Sequence, residues 1–184
     1  MLVAGREAIR ILRPIVKGDA QAKLVLRSGL AGERTATPRG PMYDDQRVRS
    51  LMRRPIVDIT VLPELCPHGL YIARVPRTAE LDVNAPWPDL AAALGVRPPM
   101  PSLTSALLSV QMRAWNEGLP WVATVCGWVV LGAQARGFRP VPGVAGRTCF
   151  DLAPPEGWFR AFQGGRLPTT RGGRSWYLWT PPLA

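Results

Sequence analysis

The sequence predicts an α+β fold of short, mostly antiparallel strands with a few helices. Three observations carry this. The 184 residues include 20 prolines and 18 glycines, which interrupt the chain too often for a helical bundle. Several short runs alternate apolar and polar residues with the period of a strand. One longer stretch, residues 102–117, repeats its apolar residues with the period of a helix. Hydrophobic residues make up 47% of the chain, enough for the core of a single domain spanning 1–184, which can divide into 1–85 and 86–184.

Taken in order, residues 5–17 (GREAIRILRPIVK) set Ile9, Ile11 and Ile15 against Arg10 and Arg13. This alternation predicts a half-buried strand with a proline bulge or edge. Residues 22–27 continue it or pair with it across Lys17-Gly18-Asp19. Residues 28–54 are poor in large apolar groups and rich in Gly, Pro and charge, and predict a flexible basic arm. The last part of that arm, Asp45 to Arg54, reads as a short helix carrying Arg47, Arg49, Arg53 and Arg54. Residues 55–62 (PIVDITVL) and 69–75 (GLYIARV) predict an antiparallel strand pair turned at Pro63 to Pro67.

Residues 86–95 predict a short helix, with Pro88 in its first turn and Gly95 at its end. The helix at 102–117 can be capped by Ser102 or Thr104 and ended by Gly118. Leu103, Leu107, Val110 and Ala114 form its apolar face, with Leu108 and Trp115 beside them. Residues 121–131 read as two strands around Cys126-Gly127, residues 133–137 as one helical turn, and 138–144 as extended. Residues 158–163 predict a short amphipathic helix and 174–180 a final strand.

The charge distribution is uneven. The chain carries 23 basic and 13 acidic residues, net +10. Residues 1–54 hold twelve basic and five acidic side chains, residues 55–100 three and five, and residues 101–184 eight and three. Two basic ends around a near-neutral middle fit a polyanionic partner. Lys17 and Lys23 are the only lysines. The arginines suit bidentate phosphate contacts.

Cys66, Cys126 and Cys149 form an odd, scattered set, which predicts a reducing compartment and a cytoplasmic protein. The apolar run at the start is too short for a secretory signal. Residues 118–135 carry no charge, but Pro120, three glycines and the Val/Trp content favour strand over a membrane span.

Catalytic and metal-binding motifs are absent. Cys66, His68, Cys126 and Cys149 lack the paired spacing of a zinc site, so neither a metal nor another cofactor is expected. His68 is the only histidine, and no nucleophile elbow or phosphate loop occurs. Asp44, Asp45, Asp58 and Glu64 are the candidate carboxylates for an enzyme, and nothing in the sequence brings them together. Six of the seven tryptophans follow residue 100, interleaved with Arg113, Arg160, Arg166, Arg171 and Arg174. Binders of single-stranded nucleic acid combine aromatic platforms with such cations. The run Gly164 to Trp179, with two Gly-Gly-Arg units and Trp176, is the densest example. Asp89 to Val96 followed by the 102–117 helix also suggests a helix-turn-helix, with a connector longer than usual.

Two segments carry a family resemblance. Gly5-Arg6-Glu7 before Ile9-Arg10-Ile11 and Pro14, then Arg53-Arg54-Pro55-Ile56-Val57-Asp58-Ile59-Thr60-Val61, resemble the single-stranded-DNA-binding N-terminal domain of ArdC-like antirestriction proteins over residues 5–65. That family's aromatic-rich upstream half would precede Met1, and its metallopeptidase-like histidine pair has no counterpart here. The resemblance implies strands at both segments and DNA contact without protease chemistry.

The function expected from the sequence is non-enzymatic nucleic-acid binding, single-stranded DNA favoured, by a protein of bacterial, plasmid or phage type. Phosphates would meet Arg10, Arg13, Lys17, Arg47, Arg49, Arg53 and Arg54. Arg166, Arg171, Arg174 and Trp176 would add a second contact. The alternative is a protein-interaction module, an assembly subunit or inhibitor, with an interface rich in Arg and Trp.

Overall fold

Two sheets organise the chain, one of three strands and one of six. The computed structural model describes residues 1–76, 81–98, 100–114, 118–144, 147–168 and 176–181. Among these residues the fold is α+β, with six α-helices and mostly antiparallel sheets, the larger one curled into a half-barrel. Backbone contacts divide the chain into two units, Met1–Pro55 with Pro76–Ala85, and Ile56–Val75 with Pro86–Ala184.

The N-terminal unit runs β1 (Leu2–Ala4), α1 (Gly5–Leu12), α2 (Asp19–Arg27), β2 (Thr35–Thr37), β3 (Gly40–Asp44) and α3 (Asp45–Arg53). Its sheet has the order β1-β3-β2, antiparallel throughout. The strand expected at residues 5–17 is therefore a helix over its first half. Ala8, Leu12 and Val16, four apart, are the buried set, and four-residue spacing is the helical one. The isoleucines that suggested alternation, Ile9, Ile11 and Ile15, are only half-buried. Residues 22–27 likewise belong to α2, which buries Ala22, Leu24, Val25 and Leu26.

Residues 28–54, expected as a flexible arm, form a hairpin and a helix. Thr37 pairs with Gly40 across Pro38-Arg39, and the Thr37 hydroxyl donates to the Gly40 carbonyl at 2.7 Å. The helix expected at Asp45–Arg54 is α3. Asp44 caps it, accepting from the Arg47 amide at 2.9 Å. Tyr43, Val48 and Leu51 supply the apolar groups that order this segment.

The second unit contains α4 (Leu62–Leu65), β4 (Leu70–Arg74), α5 (Trp87–Gly95), β5 (Val96–Arg97), α6 (Ser102–Ala114), β6 (Leu119–Val125), β7 (Trp128–Pro140), β8 (Thr148–Ala153) and β9 (Trp176–Trp179). The sheet order is β5-β8-β7-β6-β4-β9, with β4 and β6 parallel and every other pair antiparallel. The expected strand at 55–62 is absent. Asp58 accepts from the amide and the hydroxyl of Thr60 at 2.9 and 2.7 Å, and such a local side-chain turn competes with strand pairing. Residues 59–61 form a single 3-10 turn, and only Ile56 makes a bridge, to Arg166. The strand at 69–75 is β4, but its partners are β6 and β9.

The helix expected at 86–95 is α5, and that expected at 102–117 is α6 over residues 102–114, while residues 115–117 lie outside the described residues. Residues 133–137 are not a helical turn; they continue β7, whose Ala133 and Ala135 are fully buried. The strands around Cys126-Gly127 are β6 and β7, so the uncharged stretch 118–135 lies mostly in strand. No helix among the described residues is long and apolar enough to cross a membrane. The short helix at 158–163 is a 3-10 helix, Gly157–Ala161.

Successive side chains on the large sheet point to opposite faces. One face packs Leu70, Val122, Val129, Phe162 and Leu167 into a core with Cys66. The other carries an aromatic array in which Tyr71 stacks between Trp121 and Trp176, with centroids 6.4 and 6.2 Å away, and tilts against Phe150 at 4.9 Å.

Candidate nucleic-acid interface

The N-terminal unit holds most of the positive charge. Of the cations expected to meet phosphate, Arg10, Arg13, Lys17, Arg47, Arg49 and Arg53 are exposed there. Three of them already have carboxylate partners. Arg10 bonds Glu7 one turn earlier at 2.6 Å, Arg13 meets Asp19 across the α1–α2 turn at 3.0 Å, and Arg49 holds Asp45 at 2.9 Å. The bond from Arg10 holds the Glu7 carboxyl below its ordinary value, and Arg49 adds to this from α3. Glu7 and Asp45 thus offset part of the charge of Arg10 and Arg49. Arg54 is half-buried, and burial lowers its pKa.

A second set of cations was not singled out from the sequence. Lys23 and Arg27 lie four apart on the solvent side of α2, and Arg34 and Arg39 are exposed in and before the β2–β3 hairpin. Once 19–27 is known to be helical, the i, i+4 spacing of Lys23 and Arg27 is the signal that finds them.

Beside this surface a cleft of about 990 Å³ is lined by Arg27, Arg34 and Arg47, with Glu33, Asp44 and Asp82 among them. Arg34 and Arg27 also lie near the phenol of Tyr43, whose pKa burial raises and the two cations pull back down. The cleft wall is built by backbone that only glycine suits. Gly29 and Gly32 have φ of +80°, and a β-carbon on Gly32 would collide with the Arg47 guanidinium. The loop is tied to residues 82–84. The Val83 amide donates to the Ser28 carbonyl at 2.9 Å, and the Asn84 side chain donates to the Gly29 carbonyl at 3.2 Å.

The candidates of the C-terminal part belong to the other unit. Arg166 is half-buried, 5.8 Å above the Trp128 ring. Trp176 is half-buried in the aromatic array. Arg171 and Arg174, with Trp115, lie outside the described residues. Trp121 and Trp128 are fully buried, and Trp87, Trp158 and Trp179 are half-buried. No tryptophan among the described residues is an exposed platform for a base. The helix-turn-helix suggested at 89–117 is not formed either, because β5 separates α5 from α6 and pairs with β8.

The other polar candidates have local structural roles. Asp44 caps α3, Asp45 pairs with Arg49, and Asp58 closes a turn. Cys66 is fully buried, which pushes its thiol pKa up to about 12. Among the described residues no three His, Cys, Asp or Glu side chains are grouped to hold a metal. No protein-family model, curated protein or solved structure matches the chain. The strands implied by the ArdC-like resemblance correspond here to α1, a 3-10 turn and a single bridge.

Proposed function

We propose that the protein is a non-enzymatic DNA-binding protein whose N-terminal unit docks on a duplex through α2 and the β2–β3 hairpin. The observation that carries this is the order of elements. Two packed helices joined by a turn are followed by an antiparallel hairpin, on a segment with twelve basic and five acidic side chains over residues 1–54. This is the element order of a helix-turn-helix followed by a hairpin, and here the hairpin strand β3 packs against α1 and α3. The connection, residues 13–18, is longer than the usual three to four residues. A major groove about 12 Å wide admits one helix, and exposed Lys23 and Arg27 on α2 and Arg39 at the hairpin tip would supply phosphate contacts. The lack of an exposed tryptophan platform among the described residues favours this duplex reading over single-strand stacking.

The test is fluorescence anisotropy of labelled duplex and single-stranded oligonucleotides across a salt series. Duplex binding that is tighter than single-strand binding and persists at physiological salt supports the reading. About four phosphate contacts would give a log–log salt slope near −4. Preference for single strands would return the interface to the arginines and aromatics of the C-terminal part. Loss of all binding at physiological salt would reject DNA as the partner.

A further inference from the structure

The longest helix presents the wrong face to its own unit. On α6, Leu103, Leu107 and Val110 are 72%, 46% and 64% exposed, and Ala114 is exposed as well. These are the residues whose spacing marks the apolar face, and that face meets solvent. The side toward the sheet holds Leu108, fully buried, with half-buried Ser105, Ser109, Gln111 and Met112. The two serine hydroxyls are satisfied within the helix, Ser105 donating to the Pro101 carbonyl at 3.4 Å and Ser109 to the Ser105 carbonyl at 2.9 Å. The helix therefore turns its polar side inward, with only the Gln111 side-chain oxygen buried and unsatisfied on α6 among the described residues, and leaves a continuous apolar stripe exposed.

We propose that this stripe is the seam of a homodimer, covered by α6 of a second copy running antiparallel. The spacing of the stripe, four, three and four residues, is that of a two-helix seam. The stripe is also complementary to itself. An antiparallel pair centred between residues 108 and 109 sets Leu103 against Ala114 of the other copy, and Leu107 against Val110. Each large side chain meets a smaller one, in every layer, as a two-fold interface requires. A parallel pair would instead stack Leu103 on Leu103 and leave Ala114 facing Ala114. Charge selects the same arrangement. Arg113 is the only charged residue of α6. Nine residues of separation along the antiparallel pair hold its two copies about 14 Å apart, beyond the screening length at physiological salt. A parallel pair would bring them together. One cation and no carboxylate on α6 give a nucleic acid or a strongly charged protein little to match there.

A helix of 13 residues is about 20 Å long, so the seam falls below the roughly 800 Å² per partner of a stable interface. The dimer is accordingly weak and concentration-dependent. Sedimentation velocity on the full chain from about 5 to about 500 μM, a range suited to an interface below standard size, is expected to show a monomer–dimer equilibrium. Leu107→Glu and Val110→Lys are each expected to sediment as monomers with the circular dichroism of the parent. Val110 is the more exposed of the two, so its variant keeps the test sound if Leu107→Glu misfolds. An equimolar mixture is expected to dimerise again, because residue 107 of one copy faces residue 110 of the other. A parent that stays monomeric over the whole range overturns the proposal. So does a dimer that survives Val110→Lys, or folded single variants whose mixture remains monomeric.

Discussion

The ring of Phe159 lies directly against the Cα of Gly132, leaving no space for a side chain on that strand position. Gly132 sits in β7 opposite Val122, and its carbonyl accepts from the indole of Trp87 at 3.0 Å. The neighbouring backbone is thus held while the ring packs over it. Gly132→Ala would push Phe159 out of a core that it shares with Trp158 and Phe162. Overpacking of this kind costs about 1–3 kcal/mol. The expected outcome is a lower urea midpoint with an unchanged denaturant slope; a midpoint equal to the parent's would show that the ring moves freely.

Stability should fall on the alkaline side in two stages. Burial pushes the Cys66 thiol from 9.0 up to about 12 and the Tyr71 phenol from 10.0 up to about 12, with Arg97 partly opposing the shift at Tyr71. Above pH 9 the unfolded chain loses the thiol proton that the folded chain retains, so stability declines as pH rises; above pH 10 the phenol adds to the decline. Each group contributes a slope of about 1.4 kcal/mol per pH unit until its folded-state pKa is reached. Urea midpoints between pH 8 and 11 check this. Cys66→Ala should flatten the curve between pH 9 and 10, and Tyr71→Phe should reduce the steepening above pH 10. Parallel curves for parent and variants would contradict the assignment.

Lys23→Ala and Arg39→Ala should each weaken duplex binding and reduce the magnitude of the salt slope by about one, the signature of a lost phosphate contact. Arg10→Ala and Arg49→Ala should do less, because Glu7 and Asp45 already accept from those guanidiniums. Anisotropy titrations at several salt concentrations separate the two pairs. A larger loss for Arg10 and Arg49 would shift the interface to the α1–α3 side.

The turn between β6 and β7 offers a stabilising change. Val125 pairs with Trp128, and the two residues between them, Cys126 and Gly127, have φ of 51° and 98°. Positive φ at both positions defines a turn that prefers Asn-Gly, and a cysteine there is strained. Cys126→Asn is expected to raise the melting temperature by a few degrees, equivalent to about 0.5–1 kcal/mol. A lower melting temperature would show that Cys126 makes contacts worth more than the strain.

Local signals read well wherever one element type could satisfy them. Pro88 and Gly95 bracket α5, Asp44 stands before α3, and Cys126-Gly127 marks the β6–β7 turn. They misled where two periods fit the same residues. Ile9 and Ile11 suggested a strand, whereas Ala8, Leu12 and Val16 carried the helical period that the core uses. Helix-forming Ala133, Gln134 and Ala135 became strand because their neighbours on β6 and β8 left a place for an extended chain. The interface cations followed the same division. Arg10 and Arg49 are prominent in the sequence, yet carboxylates that only helical folding brings near engage them both.

The residues alone determined the α+β class, the concentration of positive charge in the first 54 residues and the 4-3-4 stripe of the longest helix, since each depends on composition or on spacing within one element. Tertiary structure decided the rest. The parallel contact of β4 with β6 joins residues about fifty apart in the chain, and only packing of the whole sheet selects it among competing pairings. The outward direction of Leu103, Leu107 and Val110 depended on the same packing, because a periodic pattern defines a face and the neighbouring surfaces determine which way it points.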